Sequence, residues 1–320
     1  MDRPLIVGLA ALLAASTALA ETSVPKTFEL NDGRFTELPA GATGSTTVPS
    51  ADPVLKNVEQ LIDRKQYNAA QKQALGWLLS HKTDPNYPFG LYLMAQGLNG
   101  DEEPVQAFYY CDELLDGYPA SPYYAEALEL QYRIADSLLS GRKVKSVGLR
   151  IFDGSDDAIE MMFRIRERSP GSPLSERALR RTADFYFADG QFDLAADAYG
   201  AYLKAYARSP NYAEVLLRQA FSNYAQFSGL RFDPTPLVNA RTQMTELVNK
   251  YPEEAQRENV QSFIDSIDRT LARKLQTTAD FYRRTGKPAA AQATLRTLVA
   301  QYPQSDEAQR AKAQLEKAGE

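Results

Sequence analysis

The chain has 320 residues, with 36 Lys or Arg against 41 Asp or Glu, a formal net charge of −5 and 44% hydrophobic residues, enough apolar material for a sizeable core. It holds one His (His81), one Cys (Cys111) and one Trp (Trp77). An internal disulfide is therefore excluded, a Ser–His–Asp triad or His/Cys zinc site has almost nothing to draw on, and mild acidity argues against nucleic acid as the main partner.

In chain order, residues 1–20 read as a secretory signal peptide. Arg3 is followed by an apolar stretch from Leu5 to Ala15, and Ala18-Leu19-Ala20 is a small-x-small cleavage site before Glu21. The stretch falls short of the ~20 residues that span a bilayer, so a soluble mature chain outside the cytoplasm is expected. Residues 21–52 are rich in Thr, Ser, Gly and Pro and lack periodicity. They read as a flexible leader, with a short peptide motif around Phe28 to Phe35 as the alternative.

From residue 53 onward one pattern recurs: a small Ala, a large residue four later, another three after that, then a Pro. Ala107, Cys111, Leu114 and Pro119 fit it, as do Ala158, Met162, Ile165 and Pro170. So do Ala240, Met244, Leu247 and Pro252, and Ala291, Leu295, Leu298 and Pro303. Two longer versions are Ala70, Ala74, Trp77, Pro85 and Ala195, Tyr199, Tyr202, Pro210. Steps of four and three put these side chains on one helical face. The Ala admits a close neighbour, and the Pro stops the helix.

Each block follows another helical stretch that ends in a turn. Tyr186 and Tyr282 stand four residues before Gly190 and Gly286, where a residue with positive φ ends the helix. Ser121-Pro122 and Ser172-Pro173 read as N-cap and first-turn pairs. The unit is helix, tight turn, helix and Pro stop, the tetratricopeptide-repeat (TPR) pattern. The expected fold is all-α, a right-handed TPR-type solenoid of about six helix pairs, with a polar C-terminal capping helix from Ser305. Segments 141–154 and 228–234 break the period, as binding loops or as plain loops over a neighbouring repeat.

Such a solenoid has a groove lined by the first helix of each pair. Counting back from Gly190 places Arg177, Arg180, Asp184 and Phe187 there, and counting back from Gly286 places Arg273, Gln276, Asp280 and Arg283. Earlier repeats offer Tyr92, Gln96, Glu126, Glu129, Arg133 and Asp136. Guanidinium forks hold peptide carboxylates bidentately and aromatics hold side chains; a solvated groove without a dedicated ligand is the alternative. The Tyr pairs 109–110, 123–124 and 199…202 read as core. Cys111 reads as a buried hydrophobe and His81 as a helix-end contact. Asp153, Asp156 and Asp157 lack the spacing of a calcium loop, and Ser155-Asp156-Asp157 reads as a helix start. No glycine-rich phosphate loop occurs, and no metal or cofactor is expected.

From about 121 to 320 the chain resembles the BamD-like (YfiO) family of outer-membrane protein assembly factors. The resemblance rests on Leu271-Ala272, Ala279-Asp280-Phe281-Tyr282, Gly286 and Gln301-Tyr302-Pro303-Gln304-Ser305. A second match runs from Asp233-Pro234 through Ala240-Arg241 to Leu247-Val248-Asn249-Lys250-Tyr251-Pro252. It implies a non-catalytic periplasmic scaffold at the inner face of the outer membrane. Unfolded outer-membrane proteins would meet its N-terminal repeats, and the periplasmic domains of a β-barrel assembly subunit its C-terminal ones. Carried across, Arg177, Arg180 and Asp184 belong to the client groove, and Arg273, Asp280 and Arg283 to the docking end. The family is lipid-anchored and this chain has no Cys near residue 20, so membrane association would come through partners. It also has extra repeats at 53–120 and the 141–154 insertion. A periplasmic adaptor of the Tol–Pal type, which also ends repeats with Tyr-Pro-x-Ser, is the alternative. Repeats fill the chain and leave no room for a catalytic domain.

Overall fold

The computed structural model describes residues 28–31, 34–37, 52–142, 144–146, 149–152 and 154–319. The chain divides into two units, Met1–Thr47 and Val48–Glu320. In the first, β1 (Phe28–Asn31) and β2 (Arg34–Glu37) pair antiparallel, Phe28 opposite Glu37 and Asn31 opposite Arg34. Part of the segment read as a leader is therefore a hairpin. Asp32-Gly33 is a hairpin signal that a search for helical periodicity passes over. The signal peptide and the rest of the leader lie outside the described residues.

The second unit contains fourteen helices among its described residues. They are α1 (Pro53–Asp63), α2 (Tyr67–Ser80), α3 (Tyr87–Gly100), α4 (Pro104–Gly117), α5 (Tyr124–Leu139), α6 (Ser155–Arg168) and α7 (Pro173–Ala188). There follow α8 (Phe192–Ala205), α9 (Tyr212–Ala225), α10 (Thr235–Lys250), α11 (Pro252–Arg257), α12 (Val260–Arg284), α13 (Pro288–Gln301) and α14 (Asp306–Gly319). Six antiparallel pairs are recognisable: α1/α2, α3/α4, α5/α6, α7/α8, α9/α10 and α12/α13. Each helix packs on the next, and first helices of successive pairs also touch, α1 on α3, α3 on α5 and α5 on α7. This is the stacked-pair solenoid of a TPR protein. The short α11 lets the chain enter the 25-residue α12, and α14 caps the last pair with only Ala308 and Ala311 fully buried.

The repeat pattern is a burial pattern. All eighteen Ala and large residues of the six blocks are buried, and Tyr199, Tyr202, Met162 and Leu114 are wholly inaccessible. One core cluster runs from Leu179 on α7 to Leu271 on α12, and a smaller one joins Ala272, Ala279, Leu295, Leu298 and Ala311. Close approach shows at Gly100, where a Cβ would lie 2.3 Å from the Tyr67 ring. Tyr109 departs from the core expectation: it points away from the packed face of α4 and is 60% exposed.

Two turn types alternate. Within pairs, Gly190 (φ 79) and Gly286 (φ 70) take the expected left-handed backbone, but Lys65 (φ 59) and Glu102 (φ 67) do so without being Gly. In each case the next amide returns to a carbonyl five residues back, as in Gln66 to Leu61 and Gln191 to Tyr186. Lys65→Gly removes the Cβ that disfavours this conformation. It should raise stability by about 1 kcal/mol, read as an upward shift in thermal midpoint. Between pairs, Tyr118, Ser169, Tyr206 and Tyr302 close their helices with a bond to the fourth residue back, and the third residue onward is Ser121, Ser172, Ser209 or Ser305. Those hydroxyls accept from the amides of Tyr123, Ser175, Asn211 and Ala308. Ser172 caps α7 with Pro173 at N1, as expected. Ser121 serves a turn instead, and α5 starts at Tyr124 because residues 122–123 complete that turn first.

The first break in period holds a second hairpin, β3 (Val144–Ser146) against β4 (Leu149–Phe152). Its entry is tied down by Arg142, which donates to the Asn99 side chain and carbonyl, both at 2.8 Å. The second break is held by Lys274 of α12, whose ammonium donates to the carbonyls of Leu230 and Phe232 at 2.8 and 2.5 Å. Asp156 and Asp157 lie in the first turn of α6, where the helix dipole favours them.

Candidate functional site

The first helices of the middle pairs, α5, α7 and α9, carry a ladder of ion pairs. Arg177 donates to Glu129 at 2.5 Å with its guanidinium 4.7 Å from the Tyr132 ring centre, and Arg181 reaches Asp136 at 2.5 Å. One step on, Arg180 donates to Glu214 at 2.6 Å. Asp184 accepts from the Tyr199 hydroxyl at 2.6 Å and lies 3.5 Å from Arg218. Burial opposes the Arg218 charge, but Asp184, Tyr199 and Glu214 outweigh it and raise its pKa. Tyr199 is pushed up by burial and then by Asp184, so it stays a neutral donor.

Three of the four residues predicted from Gly190 thus stand together. Arg177 and Arg180 face the adjoining helices, and Asp184 lies between Tyr199 and Arg218. Phe187 does not join them: its ring meets Phe192 edge-on at 5.4 Å and packs against the core cluster of 179–271. Arg218, Arg181 and Glu214 complete the ladder and escape a count back from Gly190. For Glu214 and Arg218 the available signal is their i,i+4 spacing on α9.

At the C-terminal end, Asp280 accepts from Arg283 at 2.9 Å and from Gln276 at 3.2 Å. Arg273 is exposed, and its side chain has no ion-pair or hydrogen-bond partner among the described residues. Gln276 keeps a buried side-chain oxygen without a hydrogen-bond partner. Arg241 holds Asp268 through two bonds between α10 and α12.

A more buried polar cluster joins the second helices α4 and α6 across α5. Asp112 accepts from Gln131 at 2.6 Å, from Arg164 at 2.8 Å and from Arg168; Arg168 also reaches Asp116 at 2.8 Å. Burial disfavours the Arg168 charge, yet the bonds to Asp112 and Asp116 hold its pKa above the usual range. Cys111 beside it is fully buried, and burial pushes its thiol well above the usual range, which leaves it unreactive. His81 ends α2 with its ring stacked on Trp77 at 4.5 Å and Nδ1 2.9 Å from the Trp77 carbonyl.

Residues 153–319, more than half of the chain, match the family model described as YfiO, outer membrane lipoprotein. The chain belongs to the YfiO family. The matched span runs from α6 to α14 and takes in all seven groove and docking candidates; α1 to α5 precede it, so the match begins later than the residue 121 suggested by motif. The family description is of lipoproteins, but Cys111 is buried in α4 and is not placed to carry a lipid. No curated protein sequence matches the chain. Among solved structures, MamA (41 to end) from Desulfovibrio magneticus RS-1 is similar at 16% identity, over 65% of this chain and 97% of that one, with a TM-score of 0.35. A tetratricopeptide repeat protein from Parabacteroides merdae is similar at 11% identity over 83% and 85%, with a TM-score of 0.36. PilW, a type IV pilus biogenesis factor, is similar at 17% identity over 81% and 99%, with a TM-score of 0.29. Family and repeat fold together make this YfiO-family chain a helical-repeat scaffold linked to outer-membrane biogenesis and to protein–protein interaction. Among the described residues, no helix is long and apolar enough to cross a membrane.

Proposed function

We propose that the chain is a non-catalytic scaffold at the periplasmic face of the outer membrane, part of the assembly of β-barrel proteins. Unfolded outer-membrane proteins occupy the groove at Arg177, Arg180 and Asp184, and the periplasmic domains of the β-barrel assembly subunit dock at Arg273, Asp280 and Arg283. Membrane association comes through these partners. The observation that supports this reading is the state of the groove cations. Arg177 and Arg180 are held by Glu129 and Glu214, whose side chains are 42% and 44% exposed. Exposed pairs of this kind contribute at most about 1 kcal/mol. A peptide carboxylate can therefore replace either partner at little cost, while the neutral ladder keeps the empty groove soluble and ordered.

The two surfaces are separable by charge reversal. Arg273→Glu with Arg283→Glu should weaken capture of the assembly subunit's periplasmic domains about tenfold, a loss of roughly 1.4 kcal/mol. Binding of an unfolded outer-membrane protein should stay unchanged, and Arg177→Glu with Arg180→Glu should do the reverse. Surface plasmon resonance on the full chain reads both. If the folded wild-type chain binds neither partner at tens of micromolar, the assignment fails.

A further inference from the structure

The N-terminal pairs, ahead of the family match, contain a cleft of about 390 Å³ that none of the groove residues line. It opens between two successive inter-pair turns, the one joining α2 to α3 and the one joining α4 to α5. Pro85 and Pro88 form one wall and Tyr118, Pro119, Pro122 and Tyr123 the other. The size falls in the range of ligand pockets. Its aromatic wall is rigid: Tyr123 stacks on Phe89 at 4.7 Å and on Tyr92 at 5.8 Å, and Tyr118 packs against Tyr87 at 5.8 Å.

Four of the cleft's ten lining residues are Pro and have no amide to offer. The amides of Asn86 and Tyr123 are already donated to Asp84 and Ser121 side chains, and those of Tyr118 and Ser121 to the Leu114 and Tyr118 carbonyls. Most of the cleft's backbone amides are therefore spent, which leaves the hydroxyls of Tyr118, Ser121 and Tyr123 as its polar groups. Acidic residues predominate in this stretch of the chain. From residue 83 to 132 the chain has nine Asp or Glu and no Lys or Arg. Exposed Glu59 and Glu126 act on Tyr123, whose pKa burial raises first and these carboxylates raise further. Neither has an ion-pair partner among the described residues. Glu113, which accepts from the Tyr87 hydroxyl at 3.1 Å, stands beside the other wall.

We infer that this cleft docks an extended, basic, proline-bearing segment of a partner protein. Proline rings pack on Tyr and Pro faces, and a polyproline-II segment loses little entropy on binding. Lys or Arg side chains meet Glu59, Glu113 and Glu126. None of the lining residues is a groove candidate, although Glu126 and Tyr92 at the cleft's edge are, and the site does not depend on what Arg177, Arg180 and Asp184 bind.

Fluorescence anisotropy with the full chain and labelled (Lys-Pro-Pro)₃, (Glu-Pro-Pro)₃ and (Lys-Gly-Gly)₃ peptides tests this. The Lys-Pro peptide should bind at least tenfold more tightly than either of the others. Glu59→Gln with Glu126→Gln should weaken it about fivefold and flatten its salt dependence. Ala120→Arg, on an exposed turn residue of the wall, should abolish binding without changing the thermal midpoint. Equal affinity of the Lys-Pro peptide and either control peptide, undiminished binding by Ala120→Arg, or no binding of the Lys-Pro peptide at millimolar concentration would overturn the assignment.

Discussion

Asp112→Ala should destabilise the chain by about 3 kcal/mol, because it removes the one anion on which three buried or half-buried groups converge. The Asp112 carboxylate is 11% exposed and is met by Arg164, Arg168 and Gln131. Without it, Arg168, itself 15% exposed, keeps Asp116 at the rim as its one anionic partner among the described residues. Gln131, wholly buried, keeps its 3.3 Å bond to the Phe108 carbonyl and a 3.4 Å contact from Arg168. An uncompensated buried charge costs about 3–5 kcal/mol; the low end applies because Arg164 is 40% exposed and water can reach it. In a solenoid each repeat is coupled to its neighbours, so the loss should be local. Hydrogen exchange should show α4, α5 and α6 opening before α9 to α13, with a midpoint lowered by roughly 6–12 °C. Asp116→Ala, at a side chain 69% exposed, should cost less than 1 kcal/mol. A Asp112→Ala chain that melts within a degree of wild type would show that the cluster contributes nothing.

Tyr199→Ala should cost about 3–5 kcal/mol, the range for truncating a large core aromatic. Tyr199 is wholly inaccessible within the core cluster of 179–271, and its hydroxyl carries the 2.6 Å bond to Asp184. Tyr199→Phe separates the two contributions. It keeps the packing and removes only a hydrogen bond to a carboxylate, for a loss of about 1.5–3 kcal/mol. It also leaves Asp184 with Arg180 and Arg218 alone, at 3.8 and 3.5 Å. Chemical denaturation of the two variants gives both values. Equal losses would mean that the ring packs for nothing, and no loss in Tyr199→Phe would mean that the Asp184 bond is not formed in solution.

How much of this was legible in the sequence differs by level. The eighteen repeat positions could be read because burial on a helix repeats every three or four residues, and a single chain records that period directly. Gly190 and Gly286 could be read because a left-handed turn favours a residue without a Cβ. Lys65 and Glu102 take the same backbone and leave no such mark. The two hairpins were missed for a different reason. Their strands are three or four residues long, too short to show a period beside fourteen helices.

The candidate site was legible only in part. Arg177, Arg180 and Asp184, grouped by their spacing from Gly190, do join one ion-pair ladder. Their partners are not local: Arg177 and Glu129 are 48 residues apart, and Arg168 and Asp112 are 56. Phe187 shares the helical face of Asp184 in a simple count, yet the start of α8 brings Phe192 against its ring and draws it into the core.

The sequence by itself determined that the chain is a stack of helix pairs, which faces of those helices are buried, and where most turns fall. Each of these follows from local periodicity and backbone preference. Only the tertiary structure decided which charges neutralise one another between the first helices of the middle pairs, which tyrosines became wall and which became core, and that Asp112 is the hub of a buried cluster. Those outcomes depend on how far each pair is rotated against the next. That rotation is set jointly by turn length, by the insertions after α5 and α9, and by close packing of side chains far apart in the chain.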